Sequence, residues 1–162
     1  MYIRKGDISD LKDVAKIAEA AWESIYEGYR AQLGDEIFNV FYSNWREDKP
    51  SSVCKAIESG EWNLFVTEKA GYILGFITIQ MDKSKKVGVI GNNAVDINWQ
   101  GHGIGSAQYR YVLNFMRDEG IEYIKVTTGL DDAHAPARRA YENVGFSRSL
   151  SSVTYYMELK DK

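Results

Sequence analysis

The chain has 162 residues, 44% of them hydrophobic and 27% charged, with a formal net charge of −3. That length and balance fit one domain with a real core, and they argue against nucleic acid or an anionic membrane as partner, both of which want a basic face. A single cysteine, Cys54, excludes an internal disulfide, as expected in a reducing compartment.

The opening MYIRKGDISD lacks the apolar stretch of a signal peptide, and no apolar run is long enough to span a bilayer. A cytoplasmic location is the expectation. Tyr2 to Lys5 reads as a short strand, with Gly6-Asp7 after it. Asp7 and Ser9 are N-cap candidates for a helix. Leu11, Val14, Ile17, Ala18, Ala21, Trp22 and Ile25 recur at helical spacing, and Gly28 is the expected end. A second helical pattern runs from Asp35 to Glu47. Tyr26, Tyr29, Phe38, Phe41, Tyr42 and Trp45 are either core or an aromatic wall beside a pocket. Lys49-Pro50-Ser51-Ser52 reads as the start of a short third helix, closed by Gly60.

Three strands follow: Trp62 to Glu68, Tyr72 to Met81, and Val87 to Val95. The turns between them are short, so these neighbours pair antiparallel. Gly91-Asn92-Asn93 is poor strand material and predicts a bulge. Then comes Gln100-Gly101-His102-Gly103-Ile104-Gly105-Ser106, opening a helix over Ala107 to Glu119. Glycine tolerates positive φ and brings no Cβ, so such a turn can press its backbone against a ligand. The first helical amides lack internal partners, and the helix dipole makes that end positive, so an anion such as phosphate fits there. A tight turn that binds nothing is the alternative for the glycines alone.

Ile121 to Gly129 reads as a strand parallel to its predecessor, because a crossover helix joins them. Asp131 and Asp132 cap a helix over Ala135 to Asn143, with Pro136 in its first turn and Gly145 at its end. Phe146 to Leu159 reads as one or two closing strands. The fold class expected is mixed α/β in one domain over residues 1–162: a mostly antiparallel sheet flanked by helices.

Gln100-Gly101-His102-Gly103-Ile104-Gly105 matches the Q/R-x-x-G-x-G/A signature of the GNAT superfamily of N-acetyltransferases. Ala137 to Phe146 is similar to the family's A-x-x-x-Y-E-x-x-G-F block, and Val95-Asp96 looks like the end of its splayed fourth strand. The resemblance implies splayed fourth and fifth strands, acetyl-CoA as donor and a primary amine of a small molecule as acceptor, with no metal. It implies that the pyrophosphate lies on the amides of Gly101, His102, Gly103, Ile104, Gly105 and Ser106, beside Gln100. It implies pantetheine running along Val95, the amide of Asn93 as oxyanion donor, and Tyr141 as general acid toward the leaving thiolate. Ala137 belongs to the same cofactor-facing block. His134 stands where the family often has Asn, and is kept as a cofactor contact. No general base is evident; Glu23, Glu27 and Asp82 are candidates. A polyamine or another cationic amine suits the acidic chain, and a homodimer is left open.

Two rivals remain at this point. A dinucleotide oxidoreductase needs G-x-G-x-x-G directly after the strand and an acidic residue about 20 positions on. This chain has G-x-G-x-G, with Asp96 to Gln100 intervening. A non-catalytic acyl-CoA sensor on the same fold could lose the phenol of Tyr141, which this chain keeps.

Overall fold

The computed structural model describes residues 1–159. In chain order the elements are β1 (Tyr2–Lys5), α1 (Leu11–Tyr42), α2 (Trp45–Glu58), β2 (Asn63–Lys69), β3 (Tyr72–Asp82), β4 (Val87–Val95), α3 (Ile104–Asp118), β5 (Tyr123–Val126) and α4 (Ala135–Asn143). The strands form one sheet in the order β1-β2-β3-β4-β5. Every neighbouring pair is antiparallel except β4 and β5, which run parallel. The mixed, mostly antiparallel architecture is the one the sequence implied.

Side chains alternate across a strand, and here the alternation feeds two cores. Phe65, Ile77, Ile79 and Ile90 face one side, packed with Tyr109, Val112 and Met116 of α3 and Tyr141 of α4. Leu64, Val66 and Phe76 face the other, against Val14, Ile17 and Ala18 of α1 and Val53 of α2. Burying each large apolar side chain stabilises the fold by about 1.5–3 kcal/mol. The start of the first helical segment is pinned by Asp7, whose carboxylate accepts from the Ser9 amide at 2.7 Å, while Asp10 accepts from the Asp7 amide at 2.9 Å. Arg4 on β1 clamps Asp10 at 2.7 Å and Glu68 at 2.7 Å.

Four expectations change. Gly28 does not end the first helix: α1 runs through it to Tyr42, and the break falls at Gly34, with φ 77° and ψ 161°. One interior glycine costs a helix only about 1 kcal/mol, which its buried stripe outweighs. The segment expected as a separate helix over Asp35 to Glu47 is therefore divided between the end of α1 and the start of α2. Pro50 lies inside α2 rather than at its start. Phe146 to Leu159 forms no strand among the described residues. Leu150, Val153, Tyr155 and Met157 there are exposed, while Phe146 packs on Tyr141 and the Tyr156 hydroxyl meets that of Tyr42. None of the early aromatics from Tyr26 to Trp45 lines the cleft beside β4: Tyr26 stacks on Trp45 with centroids 4.5 Å apart, Tyr29 and Tyr42 join that cluster, and Phe41 stays exposed.

Candidate active site

The sheet opens where β4 outruns its partner. Pairing with β5 covers only Val87 to Ile90, opposite Tyr123 to Val126. Gly91 to Val95 continue without β5 beside them, and a cleft of about 680 Å³ fills the gap. This is the splay between the fourth and fifth strands. Its walls include Gly91 to Val95, the turn from Gln100 to Ser106 except His102, and Thr127, Thr128, His134, Ala137 and Tyr141.

The expected bulge is present. Ile77 pairs with Asn93 but Ile79 pairs with Ile90, so β4 carries one extra residue between them. The hydroxyl of Thr78 donates to the Asn92 carbonyl at 3.0 Å across this irregularity. Gly91 is required for space, since any Cβ there would strike the Trp62 ring.

The bulge turns Asn92 and Asn93 to opposite faces. The Asn93 side-chain nitrogen donates to the Gly91 carbonyl at 2.9 Å and to the Tyr141 hydroxyl at 3.3 Å. Its side-chain oxygen accepts from the Tyr109 hydroxyl at 2.7 Å. The arrangement is self-consistent: the Gly91 carbonyl can only accept, which fixes the nitrogen end and leaves the oxygen for Tyr109. With its oxygen accepting from Asn93, Tyr141 keeps its own proton for another acceptor. Tyr141 is buried, with its ring centroid 4.9 Å from that of Tyr109. Burial pushes the Tyr109 phenol well above its usual value, so it stays a donor.

The glycine turn has the backbone its sequence demands. Gly101 and Gly103 have φ of 78° and 77°, and Gly103 caps α3 without any side-chain cap bond. The first helix bond runs from the Ala107 amide to the Gly103 carbonyl at 3.0 Å. Helix geometry leaves the amides of Ile104, Gly105 and Ser106 without intrahelical acceptors. No Asp or Glu lines the cleft among the described residues. Bare amides, a positive helix end and no competing carboxylate suit a phosphate-bearing ligand.

Some expected contacts have other duties. The Gln100 side chain donates to the Val95 carbonyl at 3.1 Å and ties the turn to β4. His102 is exposed, and its Nδ1 lies 2.9 Å from the Gln100 carbonyl, so its ring braces the turn. The His134 ring borders the cleft and pairs through Nδ1 with Asp131 at 2.7 Å. Arg138 donates to the carbonyls of Gly129 and Asp131 at 2.6 and 2.7 Å, locking the loop after β5. None of Glu23, Glu27 and Asp82 borders the cleft. Sequence reasoning missed Tyr109, Trp62 and Lys49. Tyr109 lies on α3, one helical turn past Gly105, but nothing local marks its hydroxyl as inward.

Residues 17–146 match the family model described as Acetyltransferase (GNAT) family. The chain belongs to the GNAT acetyltransferase family. Within the curated proteins, a mycothiol acetyltransferase from Thermomonospora curvata is 33% identical over 94 residues, covering 57% of this chain. The match spans 30% of that relative's length. Among solved structures, a mutant of the BH1408 protein from Bacillus halodurans superposes with a TM-score of 0.71 at 18% identity, covering 98% of this chain and 100% of that one. A GNAT family acetyltransferase from Brucella melitensis, in complex with acetyl-CoA, gives a TM-score of 0.63 at 23% identity, covering 91% of this chain and 82% of that one. A GNAT sheet with one parallel pair is also incompatible with the dinucleotide reading, which needs a doubly wound parallel sheet. No helix among the described residues is long and apolar enough to cross a membrane.

Proposed function

We propose that this GNAT enzyme moves an acetyl group from acetyl-CoA to the primary amine of a small molecule by direct attack, using residues 1–162 as one catalytic domain. The observation that carries this reading is the hydrogen bond from Asn93 into the oxygen of Tyr141 at the mouth opened by β4 and β5. It orients the phenol so that its proton is available to the cleft. The amides of Gly101 to Ser106 hold the pyrophosphate. Val95 borders the pantetheine arm, Gln100 stands beside the pyrophosphate turn that His102 braces, and His134 and Ala137 complete the cofactor side of the cleft. The Asn93 backbone amide faces the developing oxyanion, a position worth about 3–4 kcal/mol when one such donor is removed from known hydrolases.

The amine nitrogen forms a bond to the thioester carbonyl carbon, and the carbon–sulfur bond then breaks. The departing thiolate takes its proton from Tyr141, the amine gives up one proton to solvent, and solvent returns one proton to the Tyr141 phenolate, which restores the acid. General acid catalysis of this kind contributes about 10²- to 10⁴-fold. Tyr141→Phe is therefore expected to lower kcat by about 10²-fold or more while the KM for acetyl-CoA changes little. A variant with full kcat would assign the proton to a different acid, and a wild-type chain that binds acetyl-CoA but turns over no amine would favour an acyl-CoA sensor.

A further inference from the structure

We propose that Lys49 grips a carboxylate on the amine acceptor, so that the acceptor is an amino-acid-like zwitterion rather than a polycation. The inference deepens the reading of the same cleft given above and rests on it. Lys49 of α2 reaches β4, where its ammonium donates to the Asn92 side-chain oxygen at 2.7 Å. It also lies 4.3 Å from the centroid of the Trp22 ring. Asn92 adjoins Asn93 but faces the α1 and α2 side, so Lys49 stands across the strand from the phenol. The compartment there is walled by Ala21, Trp22, Ser24, Ile25 and Trp62, and Lys49 supplies its one ammonium among the described residues.

A cationic acceptor would meet no carboxylate in the cleft among the described residues, and would meet Lys49 instead. A carboxylate meets the opposite: a half-desolvated ammonium whose contacts are a neutral amide oxygen and a ring face. Desolvation by burial lowers the Lys49 ammonium to about 8, and that is the whole of the shift. An entering anion would favour the charged form and recover what burial removed. The two indoles offer flat apolar surface to the body of such an acceptor. The acceptor's amine then points past the bulge toward the thioester.

The test compares phenylalanine with phenethylamine, and adds spermidine, using the full chain, acetyl-CoA and thiol release. Wild type is expected to favour phenylalanine over phenethylamine by about 10- to 100-fold in kcat/KM, the worth of a hydrogen bond to a charged group. Lys49→Met should bring that ratio close to one, and Lys49→Arg should preserve part of it. Equal ratios in wild type and Lys49→Met, or a wild-type preference for spermidine, would overturn the proposal. A second readout is independent of turnover. N-acetylphenylalanine and its amide are titrated against tryptophan fluorescence in wild type and in Lys49→Met, with melting temperature checking the fold. Tighter binding of the acid in wild type alone supports Lys49 as the carboxylate site. Equal binding of acid and amide overturns it. If no amine is acetylated while the acid still binds through Lys49, the transferase reading fails and the anion site stands.

Discussion

Asn93 ties its neighbour Gly91 to Tyr109 and Tyr141, which the sequence keeps far apart, and a double-mutant cycle with Tyr109 measures that junction. In Asn93→Ala the buried Tyr109 hydroxyl loses the acceptor it holds at 2.7 Å, and Gly91 and Tyr141 lose their donor. Stranding a buried hydroxyl costs about 1–3 kcal/mol, and each lost bond adds up to roughly 1 kcal/mol. The single variant should lose about 2–4 kcal/mol, or roughly 4–12 °C in melting temperature for a chain of this size. Tyr109→Phe removes the donor and strands only the amide oxygen, for about 1–2 kcal/mol. In the double variant neither partner is stranded, so the loss should fall short of the sum by about 1–2 kcal/mol. Urea unfolding of the four proteins reads the coupling, and kcat should fall further in Asn93→Ala, where Tyr141 is released. Losses that add within about 0.5 kcal/mol would refute the network.

Gly103→Ala forces a Cβ onto φ 77° in otherwise open space, so only the backbone strain of about 1–2 kcal/mol should appear in unfolding. If the turn relaxes to escape that strain, calorimetry should show weaker CoA binding, whereas unchanged affinity would place the pyrophosphate elsewhere. Asp10 gives an acid-side dependence, because its hydrogen bond to Arg4 holds its carboxyl below the usual range. A depressed carboxylate contributes stability above its unfolded pKa of about 3.9, and loses it as pH falls through the lower folded value. Asp10→Asn should thus be less stable at pH 7 and flatter below about pH 4 in denaturant titrations. An acid limb as steep as wild type's would assign the loss to other groups.

Much of the framework was legible in the chain itself. β4 falls on Val87–Val95 and α4 on Ala135–Asn143, the residues their patterns mark. The bulge follows from Gly91-Asn92-Asn93, and the positive-φ turn from Gly101 and Gly103. These features are local: a period, a breaker or a missing Cβ acts within a few residues of itself. The closing segment shows the limit of the same logic. Alternation at Val153, Tyr155 and Met157 describes an extended chain, but a strand exists only when another strand supplies its hydrogen bonds.

The sequence by itself determined the layered α/β framework, the bulge and the glycine turn, since hydrophobic period and backbone freedom are written in adjacent residues. Only the tertiary structure decided which polar groups meet. Tyr109, Asn93 and Tyr141 come together from α3, β4 and α4. Lys49 meets Asn92 from 43 residues away. Burial and hydrogen bonding set the chemistry of such side chains, and both depend on neighbours that no local pattern names.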